Sequence, residues 1–325
     1  MIAAALSVIR NARHCAGVFV LALGLGGCSA LVPQSMALRN APLAGIPSKV
    51  ELPGVPFFPQ EEYQCGPAAL ATVLVHRKVA VTPEELVTQV YLPERKGSLQ
   101  VEMLAAARRR GMVSYALAPR LEDVLRELAA GNPVIVLQDI GIWPFENWHY
   151  AVAFGYDLAE GELLLRSGER ERQVLPFAVH EYVWRRGGHW SMVALPPERI
   201  AATASEAGWL ASLAALERVD PRGARPGYGE FLRRWPANVE ALIGLANTHY
   251  AARELTEAEA ALRRVLERRP DSVVALNNLA QTLSDQGRHS EALDFAERAA
   301  ATGGPFAEAA RATRDLILSR LGRKP

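Results

Sequence analysis

The chain between residues 65 and 195 has two kinds of hydrophobic pattern, a helical one first and a strand-like one after it. Apolar residues at helical spacing predict helices, and short apolar runs between Gly, Pro and Asp predict buried strands. Helices followed by strands are typical of an α+β domain. The predicted helices start at Pro67 and Thr82 and span Leu99–Arg110, Leu121–Ala130 and Pro176–Arg186; the predicted strands are Pro133–Leu137, His149–Tyr156, Glu162–Arg166, Arg172–Leu175 and Trp190–Leu195.

Beyond Pro197 the chain becomes rich in Ala, Leu, Arg and Glu and repeats itself. Residues about 34 positions apart match, as in Leu242 with Leu276 and Ala246 with Ala280, which resembles the tetratricopeptide repeat. Such repeats stack into an all-α domain with a concave groove, where we expect a protein partner. The predicted repeats are Val239–Ser272 and Val273–Pro305, preceded by a degenerate one at Ser205–Asn238 and followed by a capping helix at Phe306–Leu321.

The N-terminus has the pattern of a bacterial lipoprotein signal. Arg10 and Arg13 precede the uncharged stretch Cys15–Gly27, which is shorter than the about 20 residues of a membrane-spanning helix. Small residues then lead to Cys28, the predicted lipid-bearing first residue of the mature chain, which would attach it to a membrane. Because Ser29 follows, as in lipoproteins sorted outward, we expect the periplasmic face of the outer membrane.

Composition narrows the class of protein. A chain of 325 residues suggests about two domains, and Lys+Arg 36 against Asp+Glu 35 offers no broad basic field. Nucleic acid is therefore not an expected partner. There are three cysteines; with Cys15 removed and Cys28 lipidated, Cys65 would be the only free thiol of an exported protein. A functional explanation for Cys65 is favoured for that reason.

Cys65 is followed by Gly66 and Pro67 at the start of an apolar helical run. Proline suits the first helical turn, where its missing N–H is not needed. Cys65 is therefore predicted at a helix N-terminus, beside free N–H groups and the positive end of the helix dipole. That setting favours the thiolate, which is the nucleophilic form of cysteine.

A cysteine nucleophile needs a general base within hydrogen-bond reach. His149 stands at the start of an apolar strand, after the loop Gly141–Trp148, and is the preferred candidate. His189 is the second choice. Neither histidine has metal-ligand spacing to a neighbouring ligand, so no metal and no other cofactor is expected.

The stretch from Gln60 through Cys65 and the segment that begins at His149 resemble the bacteriocin-processing peptidases that cleave double-glycine leaders, a papain-like family. The resemblance spans residues 50–197 and implies a Cys-bearing helix packed on a small antiparallel sheet. It also implies that the Gln60 side chain and the Cys65 N–H hold the oxyanion; Gln64 is a weaker candidate. The Asp or Asn that usually orients the histidine is replaced by Ser167, with Asp157 as an alternative.

These features predict four segments: a signal peptide at 1–27, a tether at 28–50, a papain-like peptidase domain at 51–198 and a repeat domain at 199–325. The expected activity is hydrolysis of a peptide or protein substrate by Cys65 and His149, with the repeats recruiting a substrate or partner. Two alternatives stay open: an amidase or transpeptidase on the same fold, and a non-catalytic scaffold in which Ser167 marks a decayed site.

Overall fold

The computed structural model describes residues 31–41, 43–59, 64–142 and 144–322. The predicted signal peptide, Cys28 and Gln60 lie outside these residues.

The chain divides into two units. One contains the described residues up to Leu99 together with Ala116–Val193, and the other contains Gln100–Tyr115 together with the residues from Ala194 onward. In chain order the helices and strands are α1 (Pro33–Asn40), β1 (Lys49–Glu51), α2 (Cys65–His76), α3 (Pro83–Val90), β2 (Tyr91–Leu92), β3 (Gly97–Ser98), α4 (Gln100–Arg109), β4 (Val113–Ala116), α5 (Leu121–Ala129), β5 (Val134–Asp139), β6 (Trp148–Asp157), β7 (Glu162–Ser167), β8 (Arg170–Pro176), α6 (Phe177–Arg186), β9 (Ser191–Leu195), α7 (Glu206–Glu217), α8 (Pro221–Arg234), α9 (Val239–Ala251), α10 (Leu255–Arg268), α11 (Val273–Asp285), α12 (His289–Ala301) and α13 (Ala307–Arg320).

An antiparallel sheet forms the centre of the first unit. β5 pairs with β9 on one side and β6 on the other, and β7 lies between β6 and β8. The short β1 pairs with the end of β6, where the carbonyl of Val50 passes within 2.4 Å of the place a Cβ on Gly155 would occupy. Only glycine fits that crossing. The α+β architecture is confirmed, whereas β1 to β4 were not predicted because such short strands show no hydrophobic period.

Helices cover both faces of this sheet, which explains why β5 and β6 are apolar without alternation. α2 packs against β5 and β6, and its residues from Gly66 to Leu74 are buried. α6 packs against β5. It carries His180, which is fully buried and faces the sheet, with its Nδ1 2.9 Å from Nε2 of Gln138 on β5.

The predicted tether contains a docked helix. At the start of α1 the backbone N–H groups of Gln34 and Ser35 donate to the carboxylate of Glu181 at 2.9 and 2.6 Å, and the Ser35 hydroxyl donates to it at 2.6 Å. Glu181 is fully buried on α6. A carboxylate at a helix N-terminus is stabilised by the free N–H groups and the dipole. Residues 33–40 of the predicted tether are thus bound to the domain as a helix and do not form an extended linker.

The second unit contains the paired helices that the repeat predicted, α9 with α10 and α11 with α12, followed by α13. Small residues at repeat positions, such as Ala246 and Ala280, are buried and let neighbouring helices approach closely. Four helices begin at a residue whose side chain accepts an N–H of the first turn, each cap worth about 1 kcal/mol. These caps are Ser205, Asp220, Asn238 and Ser272.

No helix among the described residues combines the length and hydrophobicity required to cross a bilayer.

Replacing Glu181 with Ala should release α1. Hydrogen bonds to a buried charge contribute about 1.5–3 kcal/mol each, so the docked state loses most of its advantage over an open one. We expect trypsin to cleave after the exposed Arg39 at least tenfold faster in the variant, measured by mass spectrometry of the released peptide. The exposed Glu171→Ala is the matched control and should leave the rate unchanged. Equal rates in both variants would show that Glu181 does not hold α1.

Candidate active site

Cys65 is the first residue of α2, as predicted. The backbone N–H groups of Tyr150, Gly66 and Cys65 itself act on the sulfur and lower the pKa of the thiol, but burial raises that pKa by more. The net pKa lies above the ordinary value. The expectation that the helix N-terminus favours the thiolate is therefore corrected: burial outweighs the backbone N–H groups, and the resting thiol is protonated.

His149 is the second residue of β6 and is half-buried. Its Nε2 lies 2.9 Å from the Oγ of Ser167 at the end of β7. Burial lowers the pKa of His149 to about 4, so the imidazole is neutral near pH 7. The neutral imidazole has a lone pair free for a proton, but the lowered pKa also makes it a weaker base.

Two contacts relate these groups. α2 packs on β6, and the N–H of Tyr150, the residue after His149, reaches the Cys65 sulfur. Because Nε2 is engaged by Ser167, Nδ1 is the nitrogen left to accept a proton. With Nδ1 as acceptor, Nε2 carries the hydrogen and donates it to the Ser167 hydroxyl. The arrangement has the elements of a nucleophile, a base and an orienting acceptor.

The other candidates have different partners. Asp157 pairs with Lys49 at 2.9 Å and accepts the N–H groups of Ala159 and Glu160, so it serves the turn after β6. His189 stacks edge-on against Trp184 with ring centroids 4.8 Å apart. Gln64 precedes α2 and makes no side-chain cap to it.

A buried polar pair beside His149 was not predicted. Gln138 lies directly opposite His149 in the β5–β6 register and is only 2% exposed. Its Nε2 is 2.9 Å from Nδ1 of His180, to which it donates. Burial lowers the pKa of His180 to about 3, so that nitrogen is a free acceptor at neutral pH. The only sequence signal was a polar residue directly after the apolar run that ends at Leu137.

The loop between β5 and β6 is fixed at its base. The Oδ1 of Asp139 accepts the N–H of Gly141 at 3.0 Å and that of Asn147 at 2.8 Å, and Arg186 pairs with the other oxygen at 2.6 Å. Arg186 also donates to the carbonyl of Gly141 at 2.7 Å. A Cβ on Gly141 would lie 2.1 Å from the Phe145 carbonyl, so glycine is required there.

A cavity of about 450 Å³ lies on the Ser167 side of His149. Its polar wall includes Gln138, His149, Ser167 and Gln173, and its apolar wall comes from β5, β8 and α6. It gives the site a recess that is open to solvent. The apolar lining residues are Ile140, Leu175, Val179 and Val183.

Throughout the part of the chain that the structure describes, no three His, Cys, Asp or Glu side chains are grouped so that they could hold a metal ion.

Comparison with known protein families supports the predicted peptidase-like fold of the first half of the chain and the predicted repeats of the second half. Residues 53–188 match the model of the Peptidase_C39 like family, and residues 210–273 and 243–308 match a tetratricopeptide repeat model. Among curated proteins, none matches the chain.

Solved structures similar to the chain include a C39-like peptidase from Bacillus anthracis (17% identity, 45% of this chain and 97% of that one, TM-score 0.38). A double glycine motif protease from an AMS/PCAT transporter, in complex with the leader peptide, has 21% identity over 44% of this chain and 93% of that one, TM-score 0.36. A crystal structure of MamA has 17% identity over 36% of this chain and 79% of that one, TM-score 0.30.

Pairing of the neutral Cys65 thiol with the neutral His149 imidazole would give a specific pH dependence. Alkylation of Cys65 by iodoacetamide at pH 7 should be about tenfold or more slower in His149→Ala, because the imidazole accepts the thiol proton as sulfur reacts. The His149-dependent part of the rate should persist to about pH 5 and vanish as pH falls through about 4, where the imidazole is protonated. The measurement is mass spectrometry of the peptide that contains Cys65.

His76→Ala is the matched control, since His76 lies at the far end of α2. A His149→Ala rate equal to wild type at every pH would contradict the pairing of the two groups.

Proposed function

We propose that this protein is a cysteine peptidase that uses its repeats to engage a protein partner. The proposal is supported by the match of residues 53–188 to the Peptidase_C39 like family and of residues 210–308 to tetratricopeptide repeats. One observation supports the activity most directly: His149 has an orienting acceptor on Nε2, while the N–H of the next residue reaches the Cys65 sulfur. The start of α2 thus supplies the nucleophile, Cys65, and the start of β6 supplies the base, His149.

In the proposed reaction His149 Nδ1 takes the proton from Cys65 as sulfur attacks the carbonyl carbon of a peptide bond. The carbonyl oxygen becomes an oxyanion, held by the Cys65 N–H and by Gln60, whose part rests on the family resemblance; one such donor is worth about 3 kcal/mol. The imidazolium then gives its proton to the leaving amine, and the C–N bond breaks. Water, deprotonated by His149, hydrolyses the thioester and restores the thiol.

Ser167 limits this machinery. Its hydroxyl accepts the Nε2 hydrogen but has no charge to stabilise the imidazolium, unlike the carboxylate of a Ser-His-Asp triad. In the proposed reaction the groups of the free site and of the thioester stage are therefore neutral, and charge is present only in the tetrahedral intermediates. We propose a slow, selective peptidase in which substrate binding has a large part.

For its location we propose that lipid on Cys28 holds the protein at the periplasmic face of the outer membrane. The support is the sequence alone: basic Arg10 and Arg13, an apolar stretch and the small residues before Cys28. The docked helix α1 starts close behind Cys28 and would keep the peptidase domain near the lipid surface.

For the repeats we propose binding of a protein segment, either the substrate or a recruiting partner. A cavity of about 150 Å³ lies between α9, α10 and α11. Neutral amides line much of it, which suits hydrogen bonding to a polypeptide main chain. The polar lining residues are Asn247, Tyr250, Asn277, Asn278, Gln281 and Thr282.

The first functional test is cleavage of a proteome-derived peptide library, with new N-termini identified by mass spectrometry. We expect wild-type fragments that disappear in Cys65→Ala, because no other group replaces the nucleophile, and that fall at least a hundredfold in His149→Gln. His76→Ala should cleave like wild type. Fragments that persist in Cys65→Ala, or no fragments from any variant, would contradict the proposed peptidase.

Removal of the Ser167 hydroxyl should weaken catalysis moderately. One neutral hydrogen bond is worth about 1 kcal/mol, so kcat in Ser167→Ala should fall about fivefold to tenfold with KM nearly unchanged. The assay is steady-state hydrolysis of a peptide found in the library. Ser167→Asn, which can accept the same hydrogen, should recover most of the loss. A thousandfold loss would mean instead that Ser167 takes part in the chemistry.

A further inference from the structure

Four large apolar side chains are exposed on the stretch of chain that leads into His149. Ile142 is 85% exposed and Phe145 78%, while Ile140 and Trp148 are each 47% exposed. All four lie on the loop that joins β5 to β6 or at its ends, and Trp148 directly precedes His149. Exposed apolar side chains grouped on one loop, rather than scattered singly, mark a surface that binds something.

The described loop backbone is held mainly by groups other than these side chains, although the Trp148 indole N–H donates to the Glu146 carboxylate at 3.1 Å. Asp139 and Arg186 fix its base, the N–H of Ile140 donates to the Asn147 carbonyl at 2.9 Å, and that of Phe145 to the Ile142 carbonyl at 2.7 Å. These hydrogen bonds hold the described loop residues, with Ile142 and Phe145 facing solvent. Their exposure is therefore a built feature of the domain.

The exposed loop continues into the cavity beside His149. Ile140 belongs to both, and Val179 and Val183 of α6 extend the apolar wall opposite His149 and Ser167. Cys65 does not line this cavity. The apolar surface therefore lies on the histidine side of the site, away from the nucleophile.

The position of the apolar surface on the histidine side determines which part of a bound substrate can contact it. The acyl half of the scissile bond becomes attached to Cys65, whereas the amine half receives its proton from Nδ1 of His149, so the residues that follow it leave the site past the histidine. We infer that Ile140, Ile142, Phe145 and Trp148, with the adjoining cavity, form a subsite for an aliphatic or aromatic side chain on the amine side of the cleaved bond. This subsite rests on the proposed peptidase function.

Continuity with His149 favours a substrate peptide as the occupant. A peptide in the site already has its amine half at His149, so the next side chains along it are brought to Ile140 and Trp148 without further chain. The cavity, of about 450 Å³, admits a side chain as large as Leu or Phe. Binding there would remove the exposed apolar area from water at about 25 cal/mol per Å².

The test uses the full chain with Cys65→Ala, which binds without cleaving. A mixture of random dodecapeptides is passed over this protein, and the retained peptides are sequenced by mass spectrometry. The same is done with Ile142→Ser and Phe145→Ser together, and with Val174→Ser as the matched control. Val174 is also exposed, but it alternates with the cavity-lining Gln173 and Leu175 and so faces away.

We expect the retained pool to be enriched severalfold in Leu, Ile and Phe, the enrichment to be lost in the double variant, and Val174→Ser to behave like the parent. With Cys65 present, fragments from the same mixture should have those residues on the C-terminal side of the cleaved bond. Enrichment that survives in the double variant, or apolar residues confined to the N-terminal side, would overturn the subsite.

The same protein variants also distinguish a membrane contact from a peptide subsite, and failure of the subsite from failure of the peptidase activity. If the double substitution abolishes binding to phosphatidylethanolamine–phosphatidylglycerol vesicles but leaves peptide selection intact, the loop is a membrane contact and the subsite is wrong. If wild type yields no fragments while Cys65→Ala shows loop-dependent retention, peptidase activity fails but the apolar peptide surface stands. Absence of loop-dependent retention overturns the surface whether or not cleavage occurs.

Discussion

The pairing of β6 with its two neighbours is the constraint on which the candidate site depends. Over Trp148–Ala153 β6 is hydrogen-bonded to β5, and β7 lies along its other edge. The first residues of β6 supply His149 and the N–H that reaches Cys65, while β5 brings Gln138 opposite and β7 ends at Ser167. A slip of one residue would turn His149 to the other face of the sheet. The antiparallel register thus fixes which groups can meet.

Burial then determines the charge state of those groups. The displacement of the His149 pKa from about 6.5 to about 4 corresponds to about 3 kcal/mol in favour of the neutral imidazole. The thiol pKa moves upward for the same reason. A carboxylate at the place of Ser167 would offset this and stabilise the imidazolium; a hydroxyl does not. Ser167 therefore orients the His149 ring but supplies no negative charge to stabilise the imidazolium. More of the rate enhancement must then come from substrate binding.

Much of this was predictable from sequence because it depends on strong local signals. The helix start at Cys65, the main strands and the repeat period follow from apolar spacing and capping residues, and family resemblance pointed to His149. The charge state was not predictable, because burial of Cys65 depends on how α2 packs on the sheet. Gln138 and His180 were missed since their pairing joins distant segments, and Glu181 was missed because nothing local shows that it receives the start of α1.

The end of β7 shows how such a site keeps its precision. Ser167 orients the His149 ring, and the preceding Arg166 points to the other face of the sheet, where its guanidinium lies 4.2 Å from the centre of the Phe154 ring. Arg166 also donates to the carbonyl of Val55 at 2.8 Å, in the segment that leads toward Gln60 and Cys65. Catalytic groups must be held within about 0.5 Å by packed neighbours. Two adjacent residues of one strand therefore tie the base and the approach to the nucleophile to the same sheet, so that a shift in β7 would disturb both.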